Sequence, residues 1–184
     1  MIKVKICGLK RPEDISYVNE AAPEYAGFVF YEKSRRYVSG EQAAKLRKAL
    51  SKYVTSVGVF VDADIKYIKS LYESGVIDIA QLHGKESVSY IKELKVMCAD
   101  LPVIKAISAD GGDIKTTIGS YGPFKKYSDG ESIKKTLTAN FLLIDNGAGG
   151  TGKRFDWSIL DGIEAPYFLA GGIDLSNIKE ALKL

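Results

Sequence analysis

The sequence predicts an α/β chain folded as a (β/α)₈ barrel of the TIM type, with the eighth strand and helix lacking from these 184 residues. Three observations lead there. Short apolar runs alternate with helical stretches from the first residue onward. The strand starts fall roughly 22–38 residues apart, the size of one βαβ step. The polar and glycine-rich motifs follow several different strands, which suits a barrel whose loops ring one mouth. An open doubly wound sheet is the competing arrangement, but no G-x-G-x-x-G follows the first strand.

The strand candidates are IKVKIC (2–7), YAGFVF (25–30), VTSVGVFV (54–61), VIDIAQL (76–82), LPVIKAI (101–107), NFLLID (140–145) and PYFLAGG (166–172). Most are continuous apolar runs, as expected for parallel strands covered on both faces. Pro12 with Glu13 and Asp14 fits the first turn of a helix. Ser39 opens S-G-E-Q, a capping box ahead of AAKLRKAL. Asp64 precedes IKYIKSLYESG, which stops on Gly75. A fourth helix is expected from about Glu86 to Met97, and a last one over Asp174–Leu184 with Asp174 or Ser176 as cap. The stretch 108–130, rich in Gly and polar residues, reads as an extended loop after the fifth strand. No linker divides the chain, so residues 1–184 read as one barrel domain, incomplete at its C-terminal side. Seven strands leave two unpaired edges, so the chain by itself is expected to be marginally stable or inactive.

Composition narrows the function classes. Hydrophobic residues make up 46% and charged residues 27%, and no apolar run nears the ~20 residues that cross a bilayer. The N-terminus MIKVKICGLK is not a signal peptide. With 26 basic and 23 acidic residues the net charge is +3, too small to argue for nucleic acid. Two cysteines and one histidine form neither a disulfide framework nor a zinc motif. The expectations are a cytoplasmic chain with no metal, no cofactor, no membrane and no nucleic-acid partner. Its oligomeric state is left open.

The residues that can do chemistry fall at strand ends. Cys7 ends the first strand in K-I-C-G-L-K, where cationic neighbours would favour its thiolate. A small buried hydrophobe is the equal alternative; Cys98, at a helix end, reads as structural. Asp145 ends the sixth strand in L-L-I-D-N. A carboxyl after four apolar residues is hard to explain as packing, and low-dielectric walls would help it keep a proton. An Asx-turn is the plainer role. G-A-G-G-T-G-K (147–153) and the later L-A-G-G-I-D offer backbone N–H groups to an anion, or are only tight turns. Arg36, in S-R-R-Y-V, could fork onto a carboxylate or remain a solvated charge, as could Arg35. His83, in Q-L-H-G, could orient a substrate or a neighbouring side chain, or be a satisfied structural histidine. Spacing alone thus supports a barrel enzyme holding a small phosphorylated ligand between a thiol and a carboxyl.

K-I-C-G-L, S-R-R-Y-V, V-G-V-F-V, Q-L-H-G, L-L-I-D, G-G-T-G-K-R-F-D-W and L-A-G-G-I occur in this order. Together they resemble the phosphoribosylanthranilate isomerases of tryptophan biosynthesis, over nearly the whole chain. The resemblance implies a (β/α)₈ barrel and an Amadori rearrangement that converts an N-phosphoribosyl amine to a 1-deoxyribulose phosphate. It implies Cys7 as general base, Asp145 as general acid, and Arg36 at the anthranilate carboxylate. Gly150, Thr151, Gly152, Gly171 and Gly172 would cradle the phosphate, and His83 would assist substrate binding. Arg35 stands where the family usually has Pro, and Lys85 where an acidic residue is frequent. The Gly-Val-Glu element of the family's eighth strand has no match here. Two other readings stay open: a phosphate-binding barrel without catalysis, and another phosphosugar isomerase of amino-acid biosynthesis. Histidine-pathway isomerases would be expected to place a carboxylate where this chain has Cys7.

Overall fold

The computed structural model describes residues 2–110, 114–122, 138–146 and 154–184. Seven strands occupy the seven apolar runs: β1 (Lys5–Cys7), β2 (Tyr25–Val29), β3 (Thr55–Phe60), β4 (Ile79–Leu82), β5 (Val103–Ser108), β6 (Phe141–Asp145) and β7 (Tyr167–Leu169). They form one parallel sheet in the order β1-β2-β3-β4-β5-β6-β7. Helices α1 (Pro12–Ala21), α2 (Gly40–Ala49), α3 (Ile65–Glu73), α4 (Val88–Met97) and α5 (Ile114–Tyr121) follow the first five strands. A short 3₁₀ helix, Trp157–Leu160, lies between β6 and β7, and α6 (Ile178–Ala181) follows β7.

The sheet is curled. Tyr25 of β2 and Phe168 of β7 meet edge to face with ring centroids 5.3 Å apart. Five strand spacings separate them, which in a flat sheet would be roughly 24 Å. That contact therefore closes most of a barrel. Val57, Ile79, Ile104 and Leu143 fill the interior with Phe141 and Phe168. The alternate residues Phe28, Phe60, Leu82 and Val103 face outward onto α1–α4. Leu142 and Ile144 face outward onto α5 and the 3₁₀ helix. Among the described residues β1 and β7 each pair on one side only.

Ser39 and Asp64 cap their helices as expected, but the capping box at Ser39 is half formed, because the Gln42 side chain donates to Lys10 O instead. Ser39 Oγ accepts from Gln42 N, and Asp64 Oδ1 from Lys66 N. Asp14 accepts from the backbone N of Lys10 and Arg11 and from the Arg11 guanidinium, which holds its carboxyl at about 2.

Three expectations change. The stretch 108–130 is not loop throughout: α5 occupies Ile114–Tyr121. Ile114, Ile118 and Tyr121 fall on one face and pack into the core, and that burial outweighs the poor helix propensity of Thr116, Thr117 and Gly119. Residues 123–130 lie outside the described residues. Helix α4 starts at Val88 with Ser87 as cap, so Glu86 precedes it. The last helix is only Ile178–Ala181, because Asp174 is spent on a turn, accepting from Ser176 N and Oγ.

Candidate active site

The rim at the C-terminal ends of the strands collects the predicted residues. Cys7 is the last residue of β1. Ile6 packs outward on the helices, so strand alternation turns Cys7 inward. Its sheet partner is Gly27. A Cβ at Gly27 would stand 2.7 Å from Cys7 Sγ, so the sulfur occupies space that a missing side chain leaves. Asp145 is the last residue of β6. Leu143 points inward and Ile144 outward, so Asp145 points inward too.

His83 stands one residue past β4, with Nε2 3.6 Å from Asp145 Oδ2. Its Nδ1 lies 2.9 Å from Nε2 of the buried Gln81. With the Gln81 amide donating, Nδ1 is the acceptor and the ring N–H faces Asp145. Asn146 N also donates to Asp145 Oδ1 at 2.7 Å. The His83 contact foremost, with Asn146 N and the Arg36 charge, holds the Asp145 carboxyl below its usual value against the opposing effect of burial. This corrects the expectation that apolar walls would keep Asp145 protonated: its polar partners win.

Arg36 is exposed on the segment after β2, and its Nη1 donates to Cys7 O at 3.4 Å. The side chain lies over Gly8, whose φ of +95° and lost Cβ both require glycine. Arg36 is thus tied to the Cys7 backbone and its charge reaches Asp145, whereas Arg35, also exposed, contributes a carbonyl to Lys10 Nζ. Gly171 and Gly172 follow β7 with φ of +84° and +65°. A Cβ on Gly171 would come 2.5 Å from Asp145 Oδ1, so this turn belongs to the same rim. Gly150, Thr151 and Gly152 lie outside the described residues.

A cavity of about 110 Å³ opens between His83, Gly84, Ala106, Ser108 and Asp145. A larger one, about 430 Å³, lies outside β1 against α1, and lacks Cys7, His83 and Asp145. The rim is the candidate site because the titratable groups converge there. Cys98 caps α4, buried, with its thiol pushed up by that burial, as befits a structural position. Among the described residues no group of three His, Cys, Asp or Glu could hold a metal ion.

Sequence reasoning missed Gln81, Glu86 and Lys105. Lys105 and Glu86 form a buried ion pair at 2.7 Å behind the β4 loop. The signal was present for Lys105: a lysine interrupting the apolar run V-I-K-A-I.

Residues 4–184 match the family model for N-(5'phosphoribosyl)anthranilate (PRA) isomerase. The chain belongs to this family. An N-(5'-phosphoribosyl)anthranilate isomerase of Endomicrobium trichonymphae is 42% identical over 187 residues, covering 100% of this chain and 83% of its own length. The crystal structure of phosphoribosyl anthranilate isomerase from Thermotoga maritima superposes with a TM-score of 0.80 at 28% identity, covering 100% of this chain and 83% of its own. A second PRA isomerase structure, in complex with reduced 1-(o-carboxyphenylamino)-1-deoxyribulose 5-phosphate, has a TM-score of 0.77 at 27% identity, with 100% and 82% covered. Membership in the PRA isomerase family agrees with the parallel, curled sheet and the strand-end site. Among the described residues no helix is long and apolar enough to cross a membrane.

Proposed function

We propose that this chain isomerises N-(5'-phosphoribosyl)anthranilate in tryptophan biosynthesis, with Cys7 as general base and Asp145 as general acid. The substrate is a small phosphorylated molecule, handled by a single barrel domain in the cytoplasm. The observation that carries the assignment is the convergence of Cys7, Arg36, His83 and Asp145 on one inward-facing rim.

Asp145 delivers a proton to the furanose ring oxygen; the C1–O bond breaks and the anthranilate nitrogen supplies the electron pair, giving a protonated Schiff base. Cys7, as thiolate, takes the proton from C2, and the C2–H electrons flow to C1 and quench the iminium. The enolamine then tautomerises to the ketone. The cationic Schiff base acidifies the C2–H bond, so a thiolate suffices. Arg36 holds the anthranilate carboxylate by paired hydrogen bonds. Gly171 and Gly172, with Gly150, Thr151 and Gly152, surround the phosphate with backbone N–H groups. His83, whose Nε2 stands 3.6 Å from the acid, meets the substrate beside it.

At rest the carboxyl of Asp145 is held low by His83. Its polar partners favour the carboxylate, so Asp145 must take up a proton before it can deliver one. The test is a steady-state assay of Cys7→Ser and Asp145→Asn. Each exchange removes one proton transfer and is expected to lower kcat by about 10²–10⁴-fold. Unchanged kcat in both variants would remove the assignment.

A further inference from the structure

Resting on the isomerase reading, a second group of residues acts on the same rim without touching substrate. We propose that the buried Glu86–Lys105 pair is a positioning device that fixes the β4 loop and thereby sets the His83 ring against Asp145.

The geometry is specific to that loop. Lys105 Nζ, reaching outward from β5, donates to Gly84 O at 2.7 Å, to Leu82 O at 3.4 Å and to Glu86 Oε2 at 2.7 Å. Leu82 and Gly84 flank His83, so one ammonium holds the carbonyls on both sides of it. Glu86 completes the hold by accepting from Gly84 N at 3.1 and 2.9 Å and from Asp62 N at 2.9 Å. Asp62 in turn accepts from Lys85 N at 2.7 Å, and His83 N donates to Phe60 O at 2.8 Å. Tyr121 of α5 closes the outer side: its hydroxyl donates to Glu86 O and its ring lies under Lys105 Nζ. The backbone from Leu82 to Lys85 is therefore pinned at every residue.

A pair holding only the fold would have no need to grip this loop. Both side chains are almost fully buried, 3% and 0% exposed, and an ion pair there is weak evidence for stability. A fixed geometry at a site is the better-supported use of so many charge-assisted hydrogen bonds. The His83 contact to Asp145 is long, at 3.6 Å, so a loop shift of a few tenths of an ångström decides whether it forms.

The chain has a single histidine, which makes the test direct. The ring nitrogen resonances of His83 are followed by NMR, beside kcat and KM, in Glu86→Gln, Lys105→Met and Tyr121→Phe. Lys95→Met serves as control: Lys95 is another buried lysine, at the opposite end of the strands. In the parent chain the nitrogens should report one tautomer, with the proton on Nε2. In Glu86→Gln and Lys105→Met the two tautomers should average, kcat should fall at least tenfold and KM should change less than threefold. Tyr121→Phe should follow in the same direction with a smaller effect. Lys95→Met should leave the resonances unchanged. Unaltered His83 nitrogens in Glu86→Gln and Tyr121→Phe would overturn the proposal, and those mild changes decide it should Lys105→Met not fold. The NMR result stands whether or not the chain isomerises the substrate, so the positioning role and the isomerase reading fail separately.

Discussion

Both ends of the curled sheet bury a lysine, and they use it differently. At the C-terminal rim Lys105 meets a carboxylate, Glu86, and the pair grips a loop. At the N-terminal end Lys95 of α4 donates to neutral acceptors, Leu101 O and Asn140 Oδ1, at 2.7 and 2.8 Å. Asn140 Oδ1 also accepts from Val103 N, so this lysine ties α4 to the starts of β5 and β6. Burial pushes the Lys95 ammonium down to about 8 against the opposing charge of Asp100. Nearby, Asp78 accepts from Ser56 N and Oγ and pairs with Arg47, again joining strand starts to a helix end. The N-terminal end uses polar groups as rivets. The C-terminal end uses them to hold reactive side chains, and clears space with glycine at 8, 27 and 171. That division is what a barrel with one active rim requires.

The sharpest way to break the contrast is a methyl group at the rim. Gly27→Ala would press on Cys7 Sγ and, at 3.2 Å, on its Cα, so sulfur and strand must shift together. Because misplacing a reacting group by about 1 Å can cost ~10²-fold, kcat should fall by that order. The overpacking should also cost about 1–3 kcal/mol of stability, and an unchanged kcat would show that Cys7 is not held by this contact. Next comes Lys95→Met. It leaves Leu101 O without its donor and should lower unfolding free energy by about 1–3 kcal/mol in a denaturant titration. Activity of the folded chain should stay at the parent level; a comparable loss of kcat would erase the division between the two ends.

The pH dependence of stability sharpens the same point. Lys95 titrates at about 8 when folded, against an ordinary value of 10.5. Between those values the unfolded chain holds a proton that the folded chain has released. Stability contributed by this group therefore rises with pH across that window. Lys95→Met should flatten the rise, measured as the midpoint of urea unfolding at successive pH values. The smallest effect belongs to Asp14. Its carboxyl is depressed to about 2, so its contribution is present at neutral pH and is lost as pH falls from about 3.8 toward 2. Asp14→Ala removes the bonds to Lys10 N and Arg11 N and should cost about 1 kcal/mol at pH 7.

Element order and type were legible in the residues. Six strands sit inside their apolar runs and β5 passes its run by one residue, Ser108, because a strand buried on both faces needs nothing beyond a short β-branched and aromatic stretch. Cys7, Asp145, Arg36 and His83 could be picked out because charged or reactive groups at the ends of apolar runs demand an explanation. Helix α5 could not: Thr116, Thr117 and Gly119 argue against a helix, and only packing of Ile114 and Ile118 supports it. Glu86 stood only as the start of the fourth helix, and nothing local says that it meets a lysine 19 residues away.

Local periodicity, capping residues and turn glycines thus decide which segments become strands and helices, since those preferences act over a few neighbours. The curl that brings Tyr25 to Phe168, the low carboxyl of Asp145 beside His83 and the grip of Lys105 on the β4 loop were decided by the tertiary structure. Each depends on distances between groups far apart in the chain, and a charge or a contact acts through space rather than along the backbone.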